Sequence, residues 1–194
     1  MGIKSSVPHT VLTPETIYQL SYFAGCSPDV VVMWHRRFLS YAPDGKLKKA
    51  GFEKLYQYAY PGFNTKPLAN LIFKYYDADN SRWISFVEFF LPNILHNNLS
   101  ARERATCIFH IIDSDNNGRI SLKEMTAVLK ALYQLRGMSV RNKGPYALKQ
   151  KAEQIFSQMD FNKDKFIDKT EFVYAMCNDH TLYQIFAFDF RIPQ

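Results

Sequence analysis

Apolar residues recur along this chain at helical spacing, in short amphipathic stretches separated by polar loops. Val30, Val31, Trp34, Phe38 and Leu39 form one such stripe and predict a helix with one buried face. Thr13-Pro14 and Ser27-Pro28 each place a capping residue before a proline at the first helical position, predicting helices that begin near residues 14 and 28. Ser100-Ala-Arg-Glu103 is a capping box and opens another helix. The stretch from Gly137 to Pro145 reads as a loop between two further helices. No apolar run reaches the roughly 18 residues of a transmembrane helix, and the N-terminus lacks the apolar stretch of a signal peptide. The pattern predicts an all-α protein assembled from helix–loop–helix units.

The loops carry the chemistry. Asp113-Ser-Asp115-Asn-Asn117-Gly118-Arg119-Ile120-Ser121-Leu-Lys-Glu124 offers oxygen at every position of a twelve-residue calcium loop of the EF-hand type. Side chains at positions 1, 3, 5 and 9 are Asp113, Asp115, Asn117 and Ser121, and Arg119 contributes its carbonyl at position 7. Glu124 is the bidentate residue at position 12, and Gly118 supplies the sharp turn at position 6.

The frame repeats, as internal repetition in such folds requires. In one copy the ligand positions are Asp160, Asn162, Asp164, Phe166 through its carbonyl, Asp168 and Glu171. In the other they are Asp77, Asp79, Ser81, Trp83 through its carbonyl, Ser85 and Glu88. Position 6 in these copies is Lys165 and Arg82, which predicts a left-handed backbone strained by about 1 kcal/mol. These loops call for Ca2+ at two or three sites, with Mg2+ as a resting occupant; the Asp77 loop, with a serine at position 5 and Arg82 in its turn, is the weakest.

A fourth copy keeps the frame and has lost the ligands. Ser40 to Gly51 aligns on Gly45 at position 6 and Leu47 at position 8, but position 3 is Ala42, position 12 is Gly51, and Pro43 fixes a φ unsuited to wrapping a metal. This hand is expected to bind nothing and to pair structurally with the Asp77 hand. One unit cannot bury its own apolar face, so the four hands should form two lobes, residues 1–98 and 99–194. Position-8 residues would join the paired loops in short β-ribbons.

Met1-Gly2-Ile3-Lys4-Ser5-Ser6 fits the N-myristoylation pattern, with Gly2 as acceptor. With the proline-containing defective loop, the three later loops and the apolar segment Leu182 to Phe190, the chain resembles the neuronal calcium sensor family over nearly its whole length. The resemblance implies a Ca2+ sensor, cytoplasmic and peripherally bound to membranes. It would expose an apolar groove to a helix of a target protein. That groove would be lined here by Trp34, Phe38, Phe52, Tyr56, Phe86 and Phe89. Ala42 and Arg82 depart from the family's usual cysteine and glycine.

Charge changes the picture further, because EF-hand proteins are usually acidic and this chain carries a formal +6. Arg36, Arg37, Lys46, Lys48 and Lys49 surround the defective loop, and Arg136, Arg141, Lys143, Lys149 and Lys151 gather between the last two hands. A single acyl chain binds membranes only marginally, so a basic face is the natural second signal. No base-stacking platform accompanies the charge, which argues against nucleic acid. Cys26, Cys107 and Cys177 read as reduced, buried thiols. The five histidines show no metal-ligand spacing, and no phosphate loop or nucleophile elbow appears, so an enzyme is not expected. A Ca2+ buffer, and a permanently bound regulatory subunit in the manner of calcineurin B, stay open beside the sensor.

Overall fold

The computed structural model describes residues 10–137, 140–186 and 188, with residues 97 and 140–145 described by backbone alone. Gly2 and the end of the C-terminal segment lie outside the described residues.

Helix α1 (Pro14–Ala24) precedes the first hand, formed by α2 (Pro28–Tyr41), strand β1 (Leu47–Lys48) and α3 (Lys49–Ala59). The second hand is α4 (Lys66–Tyr76), β2 (Trp83–Ile84) and α5 (Phe86–Leu95), after which a 3-10 turn at His96–Asn98 leads on. The third is α6 (Ala101–Ile112), β3 (Arg119–Ile120) and α7 (Leu122–Leu135). The fourth is α8 (Val140–Met159), β4 (Ile167–Asp168) and α9 (Lys169–Asn178), followed by α10 (His180–Phe186).

Both prolines that open α1 and α2 stand where the caps place them. Thr13 accepts a hydrogen bond from the Thr16 N–H, whereas Ser27 makes no side-chain cap bond. The expected break from Gly137 to Pro145 is shorter, because α8 already begins at Val140. Pro145 falls early in that helix and removes a single i→i−4 bond, a loss that 20 helical residues tolerate.

Two antiparallel ribbons tie the hands in pairs, β1 with β2 and β3 with β4. Their registers put Leu47 opposite Ile84 and Ile120 opposite Ile167, so position 8 meets position 8 in both pairs. All four of these side chains are buried. Around each ribbon the entering helix of one hand packs on the exiting helix of the other: α2 on α5, α3 on α4, α6 on α9 and α7 on α8. Each stripe thereby finds an apolar partner that its own hand could not supply.

The first pair of hands has an aromatic core. Phe89 stands 5.8 Å from Trp34 and 5.1 Å from Phe38, and Phe52 stands 5.5 Å from Phe73, by ring centroids. In the second pair Phe172 touches Phe109 at 5.9 Å and Phe186 of α10 at 5.7 Å, which docks the C-terminal helix on the fourth hand. Arg136, expected to join a basic cluster, instead donates to the carbonyls of Gln184 and Ile185 and fastens α7 to α10. Helix α4 also packs on α6 and α7, bringing the second and third hands together. The cysteines are free but less buried than expected: Cys26 and Cys107 are half-buried, and Cys177 lies exposed on α9.

Candidate calcium loops

Each of the three acidic loops is organised by its first and last carboxylates. In the third loop Asp113 accepts from the Gly118 N–H at 2.9 Å and the Asn117 N–H at 3.1 Å, closing the turn on position 1. The second and fourth loops repeat the contact from position 6, Arg82 N–H to Asp77 at 3.0 Å and Lys165 N–H to Asp160 at 3.1 Å. This contact requires a left-handed residue, and φ is +81° at Gly118, +71° at Arg82, +69° at Lys165 and +72° at Gly45 of the defective loop. The strain predicted for Arg82 and Lys165 is therefore present.

The position-12 glutamate has a second task that the ligand frame alone did not disclose. Glu124 accepts from the Ser114 N–H at 2.9 Å with one oxygen and from the Ser121 N–H at 2.9 Å with the other, linking the loop's start to its end. Ser121 in turn caps the Glu124 N–H, so positions 9 and 12 are the N-cap and N3 of a capping box on α7. Ser85 with Glu88 and Asp168 with Glu171 do the same for α5 and α9. The signal was available in the sequence as Ser or Asp followed three residues later by Glu. In the defective loop position 9 is Lys48, which makes no side-chain cap bond on α3.

In the third loop Asp113, Asp115 and Glu124 each present an oxygen within 4.8 Å of the others, and Asp77, Asp79 and Glu88 do so in the second. Burial raises the Asp113 and Asp77 carboxyls above their ordinary range, with the charges of Glu124 and Glu88 adding to it. Carboxylates brought this close repel, the more so where the first of them is buried, and a hard divalent cation with oxygen ligands relieves that repulsion. In the fourth loop position 3 is Asn162, so the matching trio is two carboxylates and an amide. There Asp160 Oδ1 is buried without a hydrogen-bond partner, an orphaned acceptor that a cation would satisfy. The residues present therefore fit Ca2+. Asp113, Asp115, Asn117, Ser121 and Glu124, with the Arg119 carbonyl, would hold it in the third loop, and their counterparts in the others.

The second loop differs at position 5. The Ser81 hydroxyl lies 2.8 Å from the Trp83 carbonyl and 3.3 Å from Asp77 Oδ1, donating toward the oxygens that a metal would take at positions 7 and 1. Asp79 accepts from the Ser81 N–H at 2.9 Å, and hydrogen bonds from Ser81 hold its carboxyl below the ordinary range. The first loop has Asp44 as its one carboxylate, and that residue accepts from the Lys46 N–H and pairs with Lys48 at 3.4 Å. A lysine of the loop thus stands beside its only acid.

The six residues expected to line a groove are all buried, with Phe38, Phe52, Tyr56 and Phe89 at 0% exposure. In this conformation they form the core between α2, α3 and α5. Two of the expected basic residues are drawn onto aromatic rings, Arg37 over Trp34 at 5.7 Å and Lys46 over Trp83 at 5.0 Å. Arg36, Lys48 and Lys49 stay exposed. Among the described residues no helix is long and apolar enough to cross a membrane.

The family profile of the EF-hand domain pair matches residues 102–177, the third and fourth hands. Neuronal calcium sensor 1 of Lymnaea stagnalis is 30% identical over 174 residues, covering 89% of this chain and 91% of that protein. Neuronal calcium sensor 1 of Aplysia californica gives the same identity and coverage, 30% over 174 residues. S-modulin of Aquarana catesbeiana is 25% identical over 124 residues, 64% of this chain and 61% of that protein. Four paired hands with one defective loop, three acidic loops and relatives that span nearly the whole chain lead to one conclusion: the chain belongs to the neuronal calcium sensor family.

Proposed function

We propose that this Ca2+ sensor acts by opening the aromatic core of its first lobe, residues 1–98, to an apolar helix of a target protein. Residues 99–194 then form the second lobe, with α10 on its own fourth hand. The observation that carries this reading is the place of Glu88. It is the position-12 candidate ligand, and it sits on α5 between Phe86 and Phe89, which pack on Phe38. A change in where its carboxylate points is carried directly into the aromatic cluster. The second loop is therefore the lever, and the metal-free first hand is the surface it moves against.

Gly2 acylation and a basic face supply the membrane half of the proposal. Arg36, Lys48 and Lys49 remain exposed to meet anionic lipid. Gly2→Ala should release the protein from anionic vesicles almost entirely in sedimentation, and neutralising Lys48 and Lys49 should weaken binding chiefly at low salt.

The test of opening is emission from Trp34 and binding of an apolar dye, with and without Ca2+. Saturating Ca2+ should red-shift the emission and recruit the dye, and Glu88→Gln should reduce both while the third and fourth loops still titrate. No change in either signal would identify a buffer. Capture of a target that is indifferent to Ca2+ would identify a permanent subunit.

A further inference from the structure

The fourth loop is crossed by a cation from its neighbour. Arg119 stands opposite Asp168 in the β3–β4 ribbon, so its diagonal neighbour on the same face is Phe166, two residues back. Its guanidinium lies over that ring at 5.7 Å, and one nitrogen reaches Asp164 at 3.9 Å. Asp164 is the position-5 carboxylate of the fourth loop. The first ribbon has the same diagonal without the acid: Trp83 stands opposite Lys48, and Lys46, two residues back, lies over the indole.

We propose that Arg119 sets the calcium affinity of the fourth loop by holding Asp164 as a competing cation. This rests on the reading of the Asp160 loop as a calcium site. A carboxylate paired with a guanidinium must be partly drawn from it before it can join Asp160 and Glu171 around a metal, and Arg119 adds a positive charge beside the incoming ion. The same residue offers its backbone carbonyl at position 7 of the third loop. One arginine therefore bears on both sites, through its backbone on its own and through its side chain on the next, and the two sites are not independent. The ring of Phe166 keeps the guanidinium over the fourth loop.

The ion pair is exposed, with side-chain accessibilities of 57% and 42%, so its effect is modest and sensitive to salt. Calorimetric titration of the full chain with Ca2+ tests it, in a Glu124→Gln background that removes the third loop's glutamate. Arg119→Gln should tighten the fourth site by about two- to fivefold at low salt. That gain should shrink at high salt, and Arg119→Lys should fall between parent and Gln. Lys163→Gln is the control, since Lys163 sits in the same loop, is exposed, and has no ion pair among the described residues. A gain no larger than that of Lys163→Gln reduces Arg119 to general charge and overturns the proposal. So does a gain that persists in a Glu171→Gln background, where the fourth site is removed. If Glu171→Gln itself leaves stoichiometry unchanged, the reading of the loop fails first, and the proposal with it.

Discussion

Position 6 of each loop offers a sharp test, because the backbone there inverts an ordinary rule. At an exposed helical site alanine is more stabilising than glycine by about 1 kcal/mol, since glycine loses more chain entropy on folding. Lys165 has φ of +69°, where a side chain with Cβ costs about 1–2 kcal/mol and glycine costs nothing. Subtracting glycine's entropic penalty of about 0.5–1 kcal/mol leaves glycine ahead of alanine by about 0.5–1 kcal/mol at position 165. The comparison of Lys165→Gly with Lys165→Ala removes the charge equally in both and isolates the backbone. Gly118→Ala is the mirror experiment: a Cβ there meets no atom within 4 Å, so its whole cost is strain at φ +81°. Urea or thermal unfolding in a chelator reads the difference, a shift of about 1–4 °C for a chain of this size. Lys123 on the exposed face of α7 serves as the reference site, where alanine should win. If Lys165→Ala proves as stable as Lys165→Gly, the left-handed turn is wrong, and with it the position-6 contact to Asp160.

Other outcomes follow from the same geometry. Glu124→Gln should lower calorimetric stoichiometry by about one, and it should also cost about 1–3 kcal/mol without metal, because an amide cannot accept at both ends of the loop as the carboxylate does. Ser81→Asp removes the hydroxyl that donates toward Asp77 and Trp83 and adds a carboxylate, so the second loop should bind Ca2+ about tenfold more tightly, read by Trp83 emission. His35 is buried against Phe86 at 4.8 Å, and burial lowers its pKa below the ordinary 6.5. The unfolded chain then takes up the proton first, so stability is full above pH 6.5 and falls as the pH drops from there toward the folded value. His35→Phe should flatten the urea-midpoint profile below that pH; an unchanged slope would assign the loss elsewhere.

What the sequence determined by itself is local. Twelve contiguous residues encode a loop, so the left-handed residue 6 and the apolar residue 8 were legible from spacing, and the positive φ at Gly118, Arg82 and Lys165 and the register of Ile120 with Ile167 and Leu47 with Ile84 agree with them. The helix starts at Pro14 and Pro28 and the capping box at Ser100 were legible for the same reason, since a cap is an interaction over three residues. The loss of the first loop's ligands could likewise be read from Ala42 and Gly51. Tertiary structure decided everything that depends on which surface meets which. It sealed Trp34 and the five other aromatic residues into a core, because α2 had to find α5 from another hand. It sent Arg136 to the carbonyls of α10, left Cys177 exposed and began α8 at Val140. It also laid Arg119 across to Asp164, 45 residues further on, through a ribbon whose register only the paired loops define. Spacing along the chain specifies the frame of each loop, and the packing of one hand on another specifies which side chains stand beside it and which are sealed into the core.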